Sequence, residues 1–221
     1  MTAIAASADP RPERLRTGRE SVREATNTRI LALQKGYLAD RPEAVAALAR
    51  IRRGAGKPIN SVPDLWGLTA TDQLYTDLDT YGEREVARAE NAVHIAVTLW
   101  SLHQQSRRDS PMHIPGGPQL GRAVRDLMPS GEIDEPLRRR FVRIGTASSV
   151  EILAQRLRDV VLLLRQQAQA MDFAVLAEQL YRWQLPAEQA NVRRDWGRSF
   201  HARSQPDSAD TPPADEAKDA S

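Results

Sequence analysis

Apolar residues recur along this chain at intervals of three and four, the spacing that places them on one face of an α-helix, and no segment shows the sustained alternation of a strand. Val22, Ala25, Ile30, Leu33 and Tyr37 outline a helix of about 20 residues. Pro42 stands where a first helical turn accepts proline, and Ala44, Val45, Leu48 and Ile51 carry a second helix to a stop at Gly54-Ala55-Gly56. Residues 57–71 read as a connector holding Pro58, Pro63 and Trp66. Val86, Ala89, Val93, Ala96, Val97 and Trp100 then mark the clearest helix of the N-terminal half, ending near Gln105.

The strongest break follows. Ser110-Pro111, Ile114-Pro115 and Gly116-Gly117-Pro118 cannot continue a helix. Beyond it the helical spacing resumes in Leu120, Val124 and Leu127, then in Leu137, Phe141 and Ile144. A long, strongly apolar helix runs from Ile152 to Leu164. Asp172 is a suitable N-cap for a helix through Phe173, Leu176, Leu180 and Trp183. Pro186 opens a last one through Val192, Trp196 and Phe200. The pattern predicts an all-α protein of two helical lobes, the C-terminal one a four- to five-helix bundle. Its segments are a flexible arm (1–18), an N-terminal lobe (19–106) with a variable connector near 67–82, an inter-lobe loop (107–118), the bundle (119–203) and a disordered acidic tail (204–221), whose Pro, Asp, Ala and Ser content suits disorder.

Composition narrows the chemistry. The chain has no cysteine, which excludes disulfides, thiolate metal sites and cysteine nucleophiles. No apolar run approaches the roughly 18 residues that span a bilayer, and the alanine-rich N-terminus lacks the basic and apolar regions of a signal peptide. A cytoplasmic protein with no membrane partner is expected. The net charge is +2, but residues 204–221 hold five acids and one lysine. Without them the body carries thirty basic residues against twenty-four acidic ones. A basic body with an acidic tail suits a polyanionic partner.

Enzymatic signatures are scarce. Gly54-Ala55-Gly56-Lys57 looks like the end of a phosphate-binding loop, but Ile51 and Pro58 stand where that motif needs Gly and Ser or Thr, and no strand precedes it. The four histidines lack carboxylates at metal-ligand spacing. No catalytic residue, metal or cofactor is expected.

The arginines are more informative. Arg50, Arg52, Arg53 and Lys57 put four positive charges into eight residues with no acid among them. A helix C-terminus attracts cations, though dipole compensation requires fewer. On the helix that begins near Pro136, with Leu137 at 0°, Phe141 and Ile144 form a coherent buried stripe. Arg139, Arg143 and Arg140 fall at about 200°, 240° and 300°, with Arg138 at about 100°. Arg107 and Arg108 before the loop and Arg122 and Arg125 after it add four more cations. A solvated surface would intersperse acids at such positions. The exposed flank of the Arg138–Arg143 helix and the Arg50–Lys57 cluster are therefore expected to line one strand-binding groove. Few aromatics stand outside core spacing, so contact should be to phosphate rather than to bases.

These stretches also carry a resemblance. Ala47-Leu48-Ala49-Arg50-Ile51-Arg52-Arg53-Gly54, Pro118-Gln119-Leu120-Gly121-Arg122-Ala123-Val124, Arg138-Arg139-Arg140-Phe141 and Trp183 followed by Arg194-Asp195-Trp196-Gly197-Arg198-Ser199-Phe200 are similar, in order and spacing, to the CasB family. That family is the small subunit of the type I-E CRISPR surveillance complex called Cascade. The resemblance runs over roughly residues 45–202 and is poor at 67–82 and in the tail. It implies a non-enzymatic, two-lobed helical subunit, present as a pair and packed against backbone and large subunits. It would touch guide RNA and target DNA and steady the opened strands, while pairing with the guide reads sequence. Within the matching motifs it implies nucleic-acid contact for Arg50, Arg52, Arg53, Arg122, Arg138, Arg139 and Arg140. Lys57, Arg107, Arg108 and Arg143 rest on charge geometry alone. The competing reading is a structural spacer whose arginines bind acidic protein neighbours.

Overall fold

The computed structural model describes residues 11–69, 72–79, 81–129 and 132–202. The expectations for the first ten residues and for the acidic tail lie outside them. Nine α-helices form among the described residues: α1 (Arg11–Leu38), α2 (Pro42–Ile51), α3 (Asp72–Asp77), α4 (Glu83–Gln104), α5 (Leu120–Asp126), α6 (Glu135–Gly145), α7 (Val150–Gln166), α8 (Phe173–Trp183) and α9 (Gln189–His201). The fold is all-α, as the periodicity requires. Between Met171 and His113 there is one isolated bridge and no described strand.

Helix starts follow their capping chemistry. Asp134 accepts from Leu137 N at the head of α6, and Ser149 accepts from Ile152 N at α7. Asp172 accepts from Ala174 N and Val175 N at α8. Each satisfies amides that a helix N-terminus leaves unpaired.

Two boundaries differ from the expected ones. α1 begins at Arg11 rather than near residue 19, so the expected arm is helical through its second half. A 3-10 turn at Arg52–Gly54 follows α2 at its expected stop, the expected connector contains two more at Ile59–Ser61 and Pro63–Leu65, and α3 follows within the variable stretch. Such one-turn elements are too short to show a period.

α4 is the axis of the molecule. From Ala92 to Gln104 every residue is buried. It packs against α1, α2, α7 and α8, while α1 also packs on α8. One hydrophobic cluster therefore runs from Val22 and Ile30 through Trp100 to Leu157, Leu180 and Trp196. The break at 107–118 divides the chain but not the core. α5 through α9 supply the five-helix C-terminal set, with α5 laid on α9 and α6 on α7. Gly121 makes the first contact possible: a Cβ there would sit 2.2 Å from Trp196 O and 2.6 Å from Phe200 N.

The loop after α4 is stitched down. Met171 N donates to Met112 O at 3.2 Å, Ile114 N to Met171 O at 3.2 Å and Asp172 N to Pro118 O at 2.9 Å. Buried Gln34 of α1 accepts from Trp100 Nε1 and His113 N and donates to His113 O. Phe173 N donates to His113 Nδ1 at 3.1 Å, so that nitrogen carries no proton and Nε2–H is directed to Asn27 Oδ1 at 3.0 Å. Burial holds this imidazole below its ordinary pKa against the opposing pull of Asp172. These bonds satisfy polar groups that would be costly if buried alone.

Candidate nucleic-acid interface

The wheel drawn for α6 holds in the structure. Leu137, Phe141 and Ile144 are buried, and Arg138, Arg139, Arg140 and Arg143 are exposed. Arg138 pairs with Glu135 at 2.9 Å, and Arg139 Nε donates to Glu135 O at 3.4 Å. Arg140 and Arg143 turn instead toward α7, where a cleft of about 450 Å³ is lined by them together with Arg156, Asp159, Val160, Leu162 and Leu163. Three guanidinium groups thus face one carboxylate over an apolar floor. Arg156 also donates to Arg143 O and, at 3.1 Å, to Thr146 Oγ1. It closes the C-terminal carbonyls of α6, where a cation is favoured by the helix dipole. A second hollow along α6 shares Arg140 and Leu163 and adds Leu127, Leu137 and Gln166.

The Arg50–Lys57 cluster lies on the far side of α7. Arg50, Arg53 and Lys57 are exposed and Arg52 is half-buried. Among the described residues none of the four has a carboxylate within ion-pair distance. Arg50 donates to Asp64 O at 3.4 Å. Two glycines bring the cluster against its neighbours. A Cβ on Gly54 would sit 2.5 Å from Leu65 Cδ1, and one on Gly56, whose φ is +78°, would sit 2.8 Å from Arg158 Cδ. The aliphatic stem of Arg158 therefore lies over Gly56. At 100° per residue, Arg158 stands about 200° round α7 from Arg156. The single groove expected from the sequence is accordingly two basic surfaces with α7 standing between them. Arg139, bonded to Glu135 O, is not among the residues that line the α6–α7 cleft.

Three other expected contacts are engaged within the fold. Arg107 donates to Arg165 O at 3.0 Å and to Gln166 O at 3.4 Å, the last carbonyls of α7. Arg108 pairs with Asp40 and lies 5.0 Å from the centre of the Tyr37 ring. Arg122 pairs with Asp126 at 2.7 Å and donates to Ala202 O at 2.9 Å. It lines a separate groove of about 1190 Å³, with Arg19, Arg23, Arg182 and Arg198 opposite Glu178 and Asp195. Most charge there is matched. Arg19 and Arg23 share Glu178, and Arg182, only 9% exposed, bridges Glu188 and Asp195 at 2.9 Å each.

Sequence reasoning missed Arg156 and Arg158. They sit in a helix whose apolar stripe dominates its reading, and only their 200° separation would have assigned them to opposite surfaces. It also missed Trp66, which lies in the connector and is 60% exposed. Among the described residues no helix is long and apolar enough to cross a membrane, and no three His, Asp or Glu side chains gather as a metal-ligand set.

The family model for the CRISPR-associated protein Cse2 matches residues 47–201, the stretch that carries the four motifs. A comparison with curated proteins finds no match. Among solved structures, CasB from Thermobifida fusca is similar at 50% identity and a TM-score of 0.76, over 82% of this chain and 98% of that one. M. ruber CasB is similar at 26% identity and a TM-score of 0.53, over 78% and 91%. A chain of a CRISPR RNA-guided surveillance complex shares the fold at 20% identity and a TM-score of 0.57, over 81% and 95%. With the family model covering most of the chain and a relative half identical to it, the chain belongs to the Cse2 family of CRISPR-associated proteins.

Proposed function

We propose that this chain is a non-catalytic small subunit of a CRISPR RNA-guided surveillance complex of the Cascade type. Its exposed arginines hold nucleic-acid backbone without reading sequence and steady the opened target DNA. Family membership supports the place in the assembly, as does the shared fold with a chain of such a complex. Backbone and large subunits, guide RNA, target DNA and a second copy of the chain are the partners this implies. The observation that carries the nucleic-acid reading is the gathering of Arg140, Arg143 and Arg156 around one cleft with Asp159 as its sole lining acid. Guanidinium groups recognise phosphate oxygens by paired hydrogen bonds, and a track of them holds a strand whatever its sequence.

The apolar floor of the adjoining hollow, with Leu127, Leu137 and Leu163, favours a second reading in which α6 docks a neighbouring protein. Binding of a single strand to the isolated protein, followed across salt concentrations by fluorescence anisotropy, separates the two. Backbone holding gives affinity that falls steeply with salt and varies little with sequence. Protein docking leaves strand affinity indifferent to changes on α6 and weakens incorporation into the assembly.

A further inference from the structure

We propose that Trp66 is a nucleobase-stacking platform set into the Arg50–Lys57 surface. The inference rests on the strand-binding reading above and adds to it a contact to bases. The other three tryptophans, Trp100, Trp183 and Trp196, are buried at 3% exposure or less, whereas Trp66 is 60% exposed. Its indole is held in place. Nε1–H donates to Ile59 O at 3.3 Å, and its backbone amide donates to Pro63 O at 3.1 Å. Gly67, at a φ of +73°, then turns the chain away. Leu65 beside it is buried, under the Gly54 turn. With its polar edge already bonded, what the ring offers a ligand is its π-face.

Cations stand close along the chain to the groups that hold the ring. Ile59, which accepts from the indole, lies two residues after Lys57, and Asp64, which accepts from Arg50, lies two residues before Trp66. Arg53 is exposed on the Arg52–Gly54 turn, whose Gly54 packs on Leu65, and the stem of Arg158 lies over Gly56. Asp64 is the one acid within the turn carrying the ring. A fixed aromatic face on a surface that also carries Arg50, Arg53, Lys57 and Arg158 matches a single strand, in which each base carries a phosphate beside it. Every base has a π-face, so the stack tolerates any sequence. A protein partner would meet the same surface with carboxylates and would leave the ring to fill a pocket.

The test follows the intrinsic tryptophan fluorescence of the full chain, in which Trp66 is the exposed emitter. It is titrated with a short oligothymidylate, with an abasic strand of the same length and with inorganic polyphosphate. Oligothymidylate should quench the exposed emission, and the two base-free polyanions should bind without that quenching. Trp66→Ala should weaken oligothymidylate binding by about 5- to 150-fold, the range expected for one lost stack. Its abasic-strand affinity and salt slope should stay as in the parent. Trp66→Phe, which keeps a ring, should recover most of the loss. Equal quenching by the abasic strand, or unchanged affinity in Trp66→Ala beside a steep salt slope, overturns the stacking platform and leaves backbone holding intact. Unchanged strand binding with impaired assembly makes Trp66 a protein contact and also overturns it. Absence of salt-dependent binding to any strand overturns both readings.

Discussion

Arg107 and Arg165 cross-link the ends of two helices: the Arg107 guanidinium donates to Arg165 O at 3.0 Å, and Arg165 Nε donates to Gln105 O at 3.3 Å. Arg107, in the loop just past α4, closes the last carbonyls of α7, and Arg165 near the end of α7 closes that of Gln105, the C-cap of α4. α4 and α7 are thereby locked together where the loop begins, and a residue that sequence logic puts on a strand-binding face has a structural duty. Arg107→Gln should therefore lower stability by about 1.5–3 kcal/mol, the scale of a hydrogen bond to a charged donor. It should leave the salt slope of strand binding unchanged. Urea unfolding and a salt titration on the same preparation check both halves.

Arg140 and Arg143 should behave in the opposite way. Both are exposed, and among the described residues neither is ion-paired, so replacing both by Gln should shift stability by less than about 0.5 kcal/mol. If each meets a phosphate, the magnitude of the log–log salt slope for a single strand should fall by about 1.4. Arg138→Gln, which breaks only the exposed pair with Glu135, should change either quantity little. An unaltered slope in the folded double variant would remove the α6–α7 cleft from the interface.

The contrast between these arginines shows what one-dimensional reasoning can reach. Helix positions were legible because burial imposes a period, and Val22, Ile30, Leu137, Phe141, Val192 and Phe200 are all buried where that period puts them. The outward flank of α6 was legible for the same reason. What each arginine touches was not. Asp40 meets Arg108 and the end of α7 meets Arg107 through contacts between residues distant in sequence. The separation of the two basic surfaces depends on which side of α7 each neighbour packs, and no local pattern encodes that. Trp66 escaped because short 3-10 turns carry no apolar period to single out an exposed ring.

Gly121 tests the packing of α5 on α9. Its missing side chain lets the backbone of Trp196 and Phe200 come closer than any Cβ allows, and Ser199 Oγ would also stand 2.3 Å away. Gly121→Ala must push the two helices apart, which costs about 1–3 kcal/mol or more, as overpacking does. Helix propensity alone would favour alanine by nearly 1 kcal/mol, so a lower melting temperature would mark close packing as the winner. A stabilised variant would show that α5 and α9 can separate freely.

Acid should unfold the protein through its buried imidazoles before its carboxylates titrate. His94 and His103, both buried on α4, are lowered by burial to about 4. The His94 ring faces Lys57 O at 3.3 Å, and His103 packs at 5.7 Å from Phe173, with Arg107 and Arg165 also opposing its charge. In the unfolded chain each has an ordinary pKa near 6.5. Above that pH both states are neutral and the full stability is present. As the pH falls below it, the unfolded chain takes up protons that the fold refuses, so stability declines until about pH 4, where the native sites protonate as well. Each site can remove about 3 kcal/mol across that window, a large part of the roughly 5–15 kcal/mol that holds a domain together. Urea unfolding at pH 7.5 and at pH 5 should show a marked loss in the parent protein. His103→Leu, which keeps the volume but takes no proton, should lose less between the two values, while a parent indifferent to pH in this range would contradict the burial of both rings as neutral groups.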